Sequence, residues 1–163
     1  MHRRQLILGG AASIVAGQAL AHSADIGPLH IGHPWTRPAL AGQNGAGYFS
    51  VQNKGTIPDV LTSVTCAAAG RTTLHRSMMM GGVMQMHAVV RVDLPAGATV
   101  SFAPGGYHVM FEVLKRPFNL GDKIPATLVF AKAGRVNVEF LVQATAPAGA
   151  PRGGGSMPGM PGM

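Results

Sequence analysis

An all-β fold, a single domain built as an antiparallel sandwich or barrel, is what this sequence predicts, and three observations carry the prediction. Short runs in which apolar and polar residues alternate recur from Leu29 onward. Clusters of Gly, Pro, Asn and Asp separate those runs at short intervals. No convincing long amphipathic helical pattern interrupts them, and strands at this spacing belong to sandwiches and barrels.

In chain order, the predicted strands cover residues 47–53, 60–66, 71–77, 83–92, 99–102, 107–114, 126–131 and 135–142. The turns between them are written as Asn53-Lys54-Gly55, Pro95-Ala96-Gly97, Pro104-Gly105-Gly106, Asn119-Leu120-Gly121-Asp122 and Ala133-Gly134. The last strand alternates most cleanly: Val136, Val138, Phe140 and Val142 face one way, and Arg135, Asn137 and Glu139 the other. On 107–114 the same rule separates an apolar face (Tyr107, Val109, Phe111, Val113) from His108, Met110, Glu112 and Leu114, so His108 and Met110 are expected to project from the more polar side.

The two ends read differently. Residues 1–21 place Arg3 and Arg4 before the apolar run 6–17 and close on Ala19-Leu20-Ala21, the pattern of an export signal cleaved after Ala21. Arg3-Arg4-Gln5-Leu6-Ile7 also resembles a twin-arginine signal. The apolar run is short of the roughly 20 residues a spanning helix needs, so no membrane insertion is expected after cleavage. Residues 22–145 form the expected domain, long enough to bury a core without staples. Residues 146–163 are Pro/Gly-rich, carry Met157, Met160 and Met163, and are expected to be a disordered tail.

Of 13 Lys and Arg, Arg3 and Arg4 belong to the leader, leaving 11 against six acidic residues and a formal charge of +5. The basic residues are scattered, which suits solubility and mild attraction to acidic partners and argues against nucleic acid. Cys66 is the one cysteine. It shares parity with Val60 and Val64 and reads as a small buried hydrophobe. A blue-copper centre wants Cys, His and Met closely spaced in one loop, and His75 lies nine residues on, which excludes that reading.

The chemistry concentrates between His75 and Met110. His108 and Met110 stand two apart on a predicted strand, so they point to one face about 7 Å apart at ~3.3 Å per residue. Imidazole suits copper among other metals, whereas thioether is a soft ligand suited to Cu(I). Thioethers need no deprotonation and form no disulfides, so such a site survives an oxidising compartment. His75 shares parity with Arg71, Thr73 and Ser77, and its bland reading is a solvated histidine. Met86 lies on an apolar stripe with Met84, Ala88, Val90 and Val92, where methionine is ordinary core filling. Met78, Met79, Met80 and Met84 are further thioethers in reach of any ion, and His87, of opposite parity to Met86, reads as surface.

The spacing His75-x10-Met86-x21-His108-x-Met110 resembles, at all four positions, that of the periplasmic copper chaperones called PCu(A)C. Three flanking blocks are similar too: Ile31-Gly32-His33-Pro34-Trp35-Thr36-Arg37-Pro38, Gly82-Val83-Met84-Gln85-Met86 and Pro104-Gly105-Gly106-Tyr107-His108-Val109-Met110. The resemblance spans residues 26–142 and implies a cupredoxin-like β-sandwich holding one Cu(I) on those four residues near its surface. It further implies a periplasmic protein that delivers copper to the Cu(A) centre of cytochrome c oxidase or to related oxidases; the expected partner is subunit II of that oxidase or another copper chaperone, and the expected state a monomer. His87 stands where such proteins often carry Arg, and the Met-rich tail is outside their core pattern.

No paired-carboxylate or Ser/His/Asp constellation is legible, so the expectation is a carrier rather than an enzyme. The rival enzyme reading is a copper oxidase: cleavage after Ala21 exposes His22, whose α-amine and imidazole chelate Cu(II) together with His30 or His33. The same group is also an expected auxiliary Cu(II) site. The tail thioethers Met157, Met160 and Met163 are expected to gather Cu(I) for the folded site. A third reading is a periplasmic β-sandwich scaffold whose methionines are incidental.

Overall fold

Alternation along the chain becomes strand after strand in the computed structural model, which describes residues 23–147. The leader, His22 and the tail with Met157, Met160 and Met163 lie outside the described residues. The strands are β1 (Ala24–Ile26), β2 (Leu29–Thr36), β3 (Gly45–Asn53), β4 (Asp59–Thr65), β5 (Ala69–Met80), β6 (Val83–Val89), β7 (Val92–Leu94), β8 (Thr99–Phe102), β9 (Tyr107–Leu114), β10 (Lys123–Phe130) and β11 (Gly134–Val142). Among the described residues they join edge to edge in the order β6-β5-β9-β8-β3-β2-β11-β10-β4-β7, with β1 on β2 and β9 also on β3.

The all-β expectation is met, with two refinements. Most pairings are antiparallel, but β11 runs parallel to β2 and β8 touches β9 in parallel. The path ends on β6 and β7 instead of closing, so a sandwich describes it and a closed barrel does not.

One aromatic cluster fills the interior. Phe49 stacks on Phe102 at 4.2 Å between ring centroids, and Phe140 meets Phe49 and Phe111 edge-on at 5.9 and 5.4 Å. Edge-to-face contact suits the positive rim and negative face of such rings. Gly47, on β3, leaves the room these rings occupy: a Cβ there would sit 2.8 Å from Phe111 and from Phe140.

Parity fails where the backbone breaks its period. Alternation puts Val113 on the apolar face with Leu114 opposite, yet Val113 is 60% exposed and Leu114 is buried. Val113 adopts φ +51°, which a β-branched residue rarely does, and its N–H donates to Asn44 Oδ1 at 3.0 Å. That twist turns the strand over. On β4, Ser63 faces Val129 and Leu61 faces Phe130, so Thr62 is an extra residue. This bulge buries Val64 and Leu61 together and separates Val64 from the half-buried Val60. The single strand expected over 83–92 is two strands, because β6 ends at Val89 and Val92 begins a new pairing with β4. Residues 23–36, for which alternation sets no bounds, supply β1 and β2.

Gly47→Ala should therefore destabilise the domain by about 1–3 kcal/mol through overpacking. Urea unfolding should show a lower midpoint at unchanged slope.

Candidate metal centre

Cross-strand register decides which side chains meet, because directly paired residues of antiparallel strands project to the same face. On β5 and β9, His75 pairs with His108 and Thr73 with Met110. On β5 and β6, Ser77 pairs with Met86 and His75 with Ala88. His75, Met86, His108 and Met110 therefore share one face of the three-stranded patch β6-β5-β9. The imidazole rings lie 5.7 Å apart between centroids.

Each ring has one nitrogen fixed by a partner. His108 Nδ1 lies 3.2 Å from the Gly106 carbonyl oxygen. A carbonyl only accepts, so Nδ1 carries the hydrogen and Nε2 keeps its lone pair. For His75, the Thr73 hydroxyl donates to Glu112 Oε1 at 2.6 Å. With its hydrogen spent, Thr73 Oγ1 accepts from His75 Nε2 at 2.9 Å. His75 Nδ1 is then a bare lone pair, and it is a buried ring nitrogen with no hydrogen-bond partner. Arg71 extends the chain behind Glu112 at 3.9 Å. Such partners fix the tautomer and orientation of a metal-binding histidine.

A wall of aromatic rings closes the other side. Tyr48 lies 6.5 Å from the His108 ring, Trp35 lies 4.8 Å from Tyr48, and the Arg37 guanidinium is 6.0 Å from the Trp35 ring. Trp35 reaches this position through a bulge in β2: Gly32 pairs with Ser50 but Trp35 with Tyr48, and His33 between them takes φ +51°. Burial raises the Tyr48 pKa, with Arg37 opposing. The same kind of shelter lowers the pKa of His108 below 6.5, chiefly by desolvation and further by His75, while the Gly106 carbonyl opposes.

Three expectations are corrected by this geometry. His108 does not project from a polar surface: it is 4% exposed. Met86 is not core filling, because β6 is an edge strand and Met86 is 51% exposed. His75 is half-buried rather than solvated, and His87 lies on the surface as expected. Cys66 is half-buried against the core, and burial raises its thiol pKa. Thr73, Glu112, Tyr48 and Gly106 are site residues that sequence reasoning misses. In the sequence the first two are only polar neighbours, since register is invisible to alternation.

Among the described residues no three of His, Cys, Asp and Glu converge as a metal cluster. Any ion at the His75–His108 pair would complete its coordination with thioether, which selects a soft metal.

An all-β sandwich presenting two oriented imidazoles amid thioethers on one sheet face defines a class of metal-binding domain. The chain belongs to the PCu(A)C family: the family model described as "Putative lipoprotein LpqE-like" matches residues 29–142, and solved PCuAC domains share its fold. The copper-bound PCuAC domain from PmoF2 is 30% identical, with a TM-score of 0.65, over 76% of this chain and 99% of its own. The apo PCuAC domain from PmoF1 is also 30% identical, with a TM-score of 0.66, over 76% of this chain and all of its own. Apo-DR1885 from Deinococcus radiodurans shares the fold at 24% identity and a TM-score of 0.57, over 89% of this chain and 97% of its own. A curated relative from Leifsonia xyli subsp. xyli, described as a lipoprotein in the same terms, is 33% identical over 104 residues. Those residues are 63% of this chain, which spans 62% of that relative's length.

Three measurements check the site. NMR titration of the metal-free protein should place the His108 midpoint below 6.5. Because the unfolded chain then binds the proton more readily, stability should fall as pH drops from 6.5 to that lower midpoint and level off beneath it. Thr73→Val removes the acceptor that holds His75 Nε2–H and should weaken metal affinity about tenfold while leaving the fold intact.

Proposed function

We propose that this protein is an exported Cu(I) carrier that takes one ion on His75, Met86, His108 and Met110 and surrenders it to a copper-requiring acceptor by ligand exchange. The observation that carries the reading is the pairing of His75 with His108, each ring offering one unprotonated nitrogen on the face that also holds Met86 and Met110. Two neutral imidazoles and two thioethers give a +1 ion a neutral, soft ligand set. The half-buried Met110 and exposed Met86 leave the ion reachable by an incoming ligand, as transfer requires. Membership of a family whose solved domains include a copper-bound one supports the same cargo.

The acceptor we favour is the Cu(A) centre of cytochrome c oxidase subunit II, with another copper chaperone as the second recipient class. The domain works as a monomer in the periplasm, and its excess of basic residues favours approach to an acidic face. Chemistry on a bound substrate is not part of this reading. An oxidase built on His22 would consume oxygen when copper-loaded and supplied with reductant; the carrier should show none above free copper.

Anaerobic titration with a competing Cu(I) chelator tests the assignment. One equivalent should bind, and His108→Ala should lower affinity about tenfold or more, as loss of a ligand requires. Met84→Leu should leave affinity within about threefold, since the swap conserves volume and Met84 is outside the four. Equal losses would overturn the ligand set, and no tight binding in the wild type would leave a scaffold.

A further inference from the structure

The hairpin of β5 and β6 projects more thioethers than the four-residue site uses, and their placement is ordered. Gly81 and Gly82 at its tip take φ +60° and +78°. Two successive residues with positive φ make the tight two-residue turn whose twist matches paired strands. The register it sets places Met79 directly opposite Met84 and Ser77 opposite Met86. Met79, Ser77 and His75 share a face of β5, and Met84 and Met86 share that face of β6. Met79 and Met84 are thus a cross-strand pair, with Cβ atoms about 5 Å apart, and Met86 is the next residue along the same face, within about 7–8 Å of both. Their flexible side chains are long enough to converge.

Packing does not explain these residues. Met79, Met84 and Met86 are 65%, 53% and 51% exposed on an edge hairpin. Exposed apolar side chains cost solubility, and Lys, Glu or Thr would serve an edge strand better. What three thioethers offer on the surface is a soft, uncharged ligand set for Cu(I).

We propose that Met79, Met84 and Met86 form an outer landing site for Cu(I), which shares Met86 with the inner site and passes the ion along the hairpin to His75, His108 and Met110. The inference rests on the Cu(I)-carrier reading. Met79 lies four residues from His75, about 13 Å along β5 at ~3.3 Å per residue, so an ion at the tip must be relayed inward. Met86 is the pivot. Copper remains Cu(I) throughout; the bonds to Met79 and Met84 sulfur break as those to His75 Nδ1, His108 Nε2 and Met110 sulfur form. No proton moves, because both ring nitrogens already hold free lone pairs. The outer set, with no imidazole, holds the ion more weakly, so the flow runs inward on loading and outward when an acceptor binds at the tip.

The test uses the full chain and Cu(I) supplied anaerobically as a bathocuproine complex. In the double variant Met79→Leu/Met84→Leu, side-chain volume and apolarity are kept while two sulfurs are lost. Stopped-flow loading should slow about tenfold, while affinity for the first equivalent stays within about threefold, the pattern of a lost kinetic route rather than a lost site. A second readout is direct: in protein with 13C-labelled methionine methyl groups and the substitution His75→Ala, one equivalent of Cu(I) should shift the methyl signals of Met79, Met84 and Met86 together. Unchanged loading by the double variant, or stationary Met79 and Met84 signals, overturns the landing site even if the wild type binds Cu(I) tightly. Failure of the wild type to bind Cu(I) at all overturns instead the carrier reading on which the inference rests.

Discussion

The pairing of β5 with β9 at His75 and His108 is the constraint on which the rest depends. A shift of that register by one residue would put the two histidines on opposite faces and set a buried residue, Val109 against His75 or Leu74 against His108, where the second imidazole stands. The apolar face therefore enforces the polar one. Leu74 pairs with Val109 beside the two histidines, and Val109 and Phe111 are wholly buried, so the core specifies where the imidazoles stand. Gly47 completes the link: it pairs with Val109 and makes room for Phe111 and Phe140. Core packing and ligand geometry are one problem solved by one strand.

The three flanking blocks acquire separate physical roles in this arrangement. The block from Ile31 to Pro38 contains the β2 bulge that brings Trp35 against Tyr48 and so shelters His108. The block from Gly82 to Met86 supplies the turn glycine and the edge strand that keeps Met86 open to solvent. The block from Pro104 to Met110 begins with a turn in which Gly105 takes φ +85° and the Gly106 N–H donates to the Ala103 carbonyl at 3.0 Å. That turn aims the Gly106 carbonyl at His108 Nδ1. Residues with no direct metal role thus set the tautomer, the shelter and the access of those proposed to bind.

Much of this is legible in the sequence, and the exceptions have local causes. Alternation finds the strands from Gly45 onward because most are buried on one face, as on β11. It misplaces side chains where one residue breaks the period: the left-handed Val113 and the extra Thr62 each reverse the facing of their neighbours along the strand. It also takes Met84, Met86, Ala88 and Val90 for core along with Val92, the one member of that stripe that is buried, because alternation reports a shared face but not whether another layer covers it. Over β6, at the edge of the sheet, none does among the described residues. The four candidate ligands come from spacing and family resemblance. Thr73 and Glu112 do not, since their hydrogen bond spans 39 residues of chain and exists only once β5 and β9 are paired.

The hydroxyl bridge between Glu112 and His75 has a thermodynamic side. Many metal sites must shed hydrogens from their ligands before the ion can enter, and the buffer then absorbs or supplies heat. Here Thr73 and Gly106 each hold a ring hydrogen on one nitrogen of a histidine and leave the other nitrogen bare, and the sulfurs carry none. Above the ordinary titration range of histidine, arrival and departure of a soft cation would exchange nothing with solvent except water. The calorimetric heat of loading would then be the same in buffers of widely different ionisation enthalpy, a form of indifference to surroundings that would suit the exported carrier proposed above.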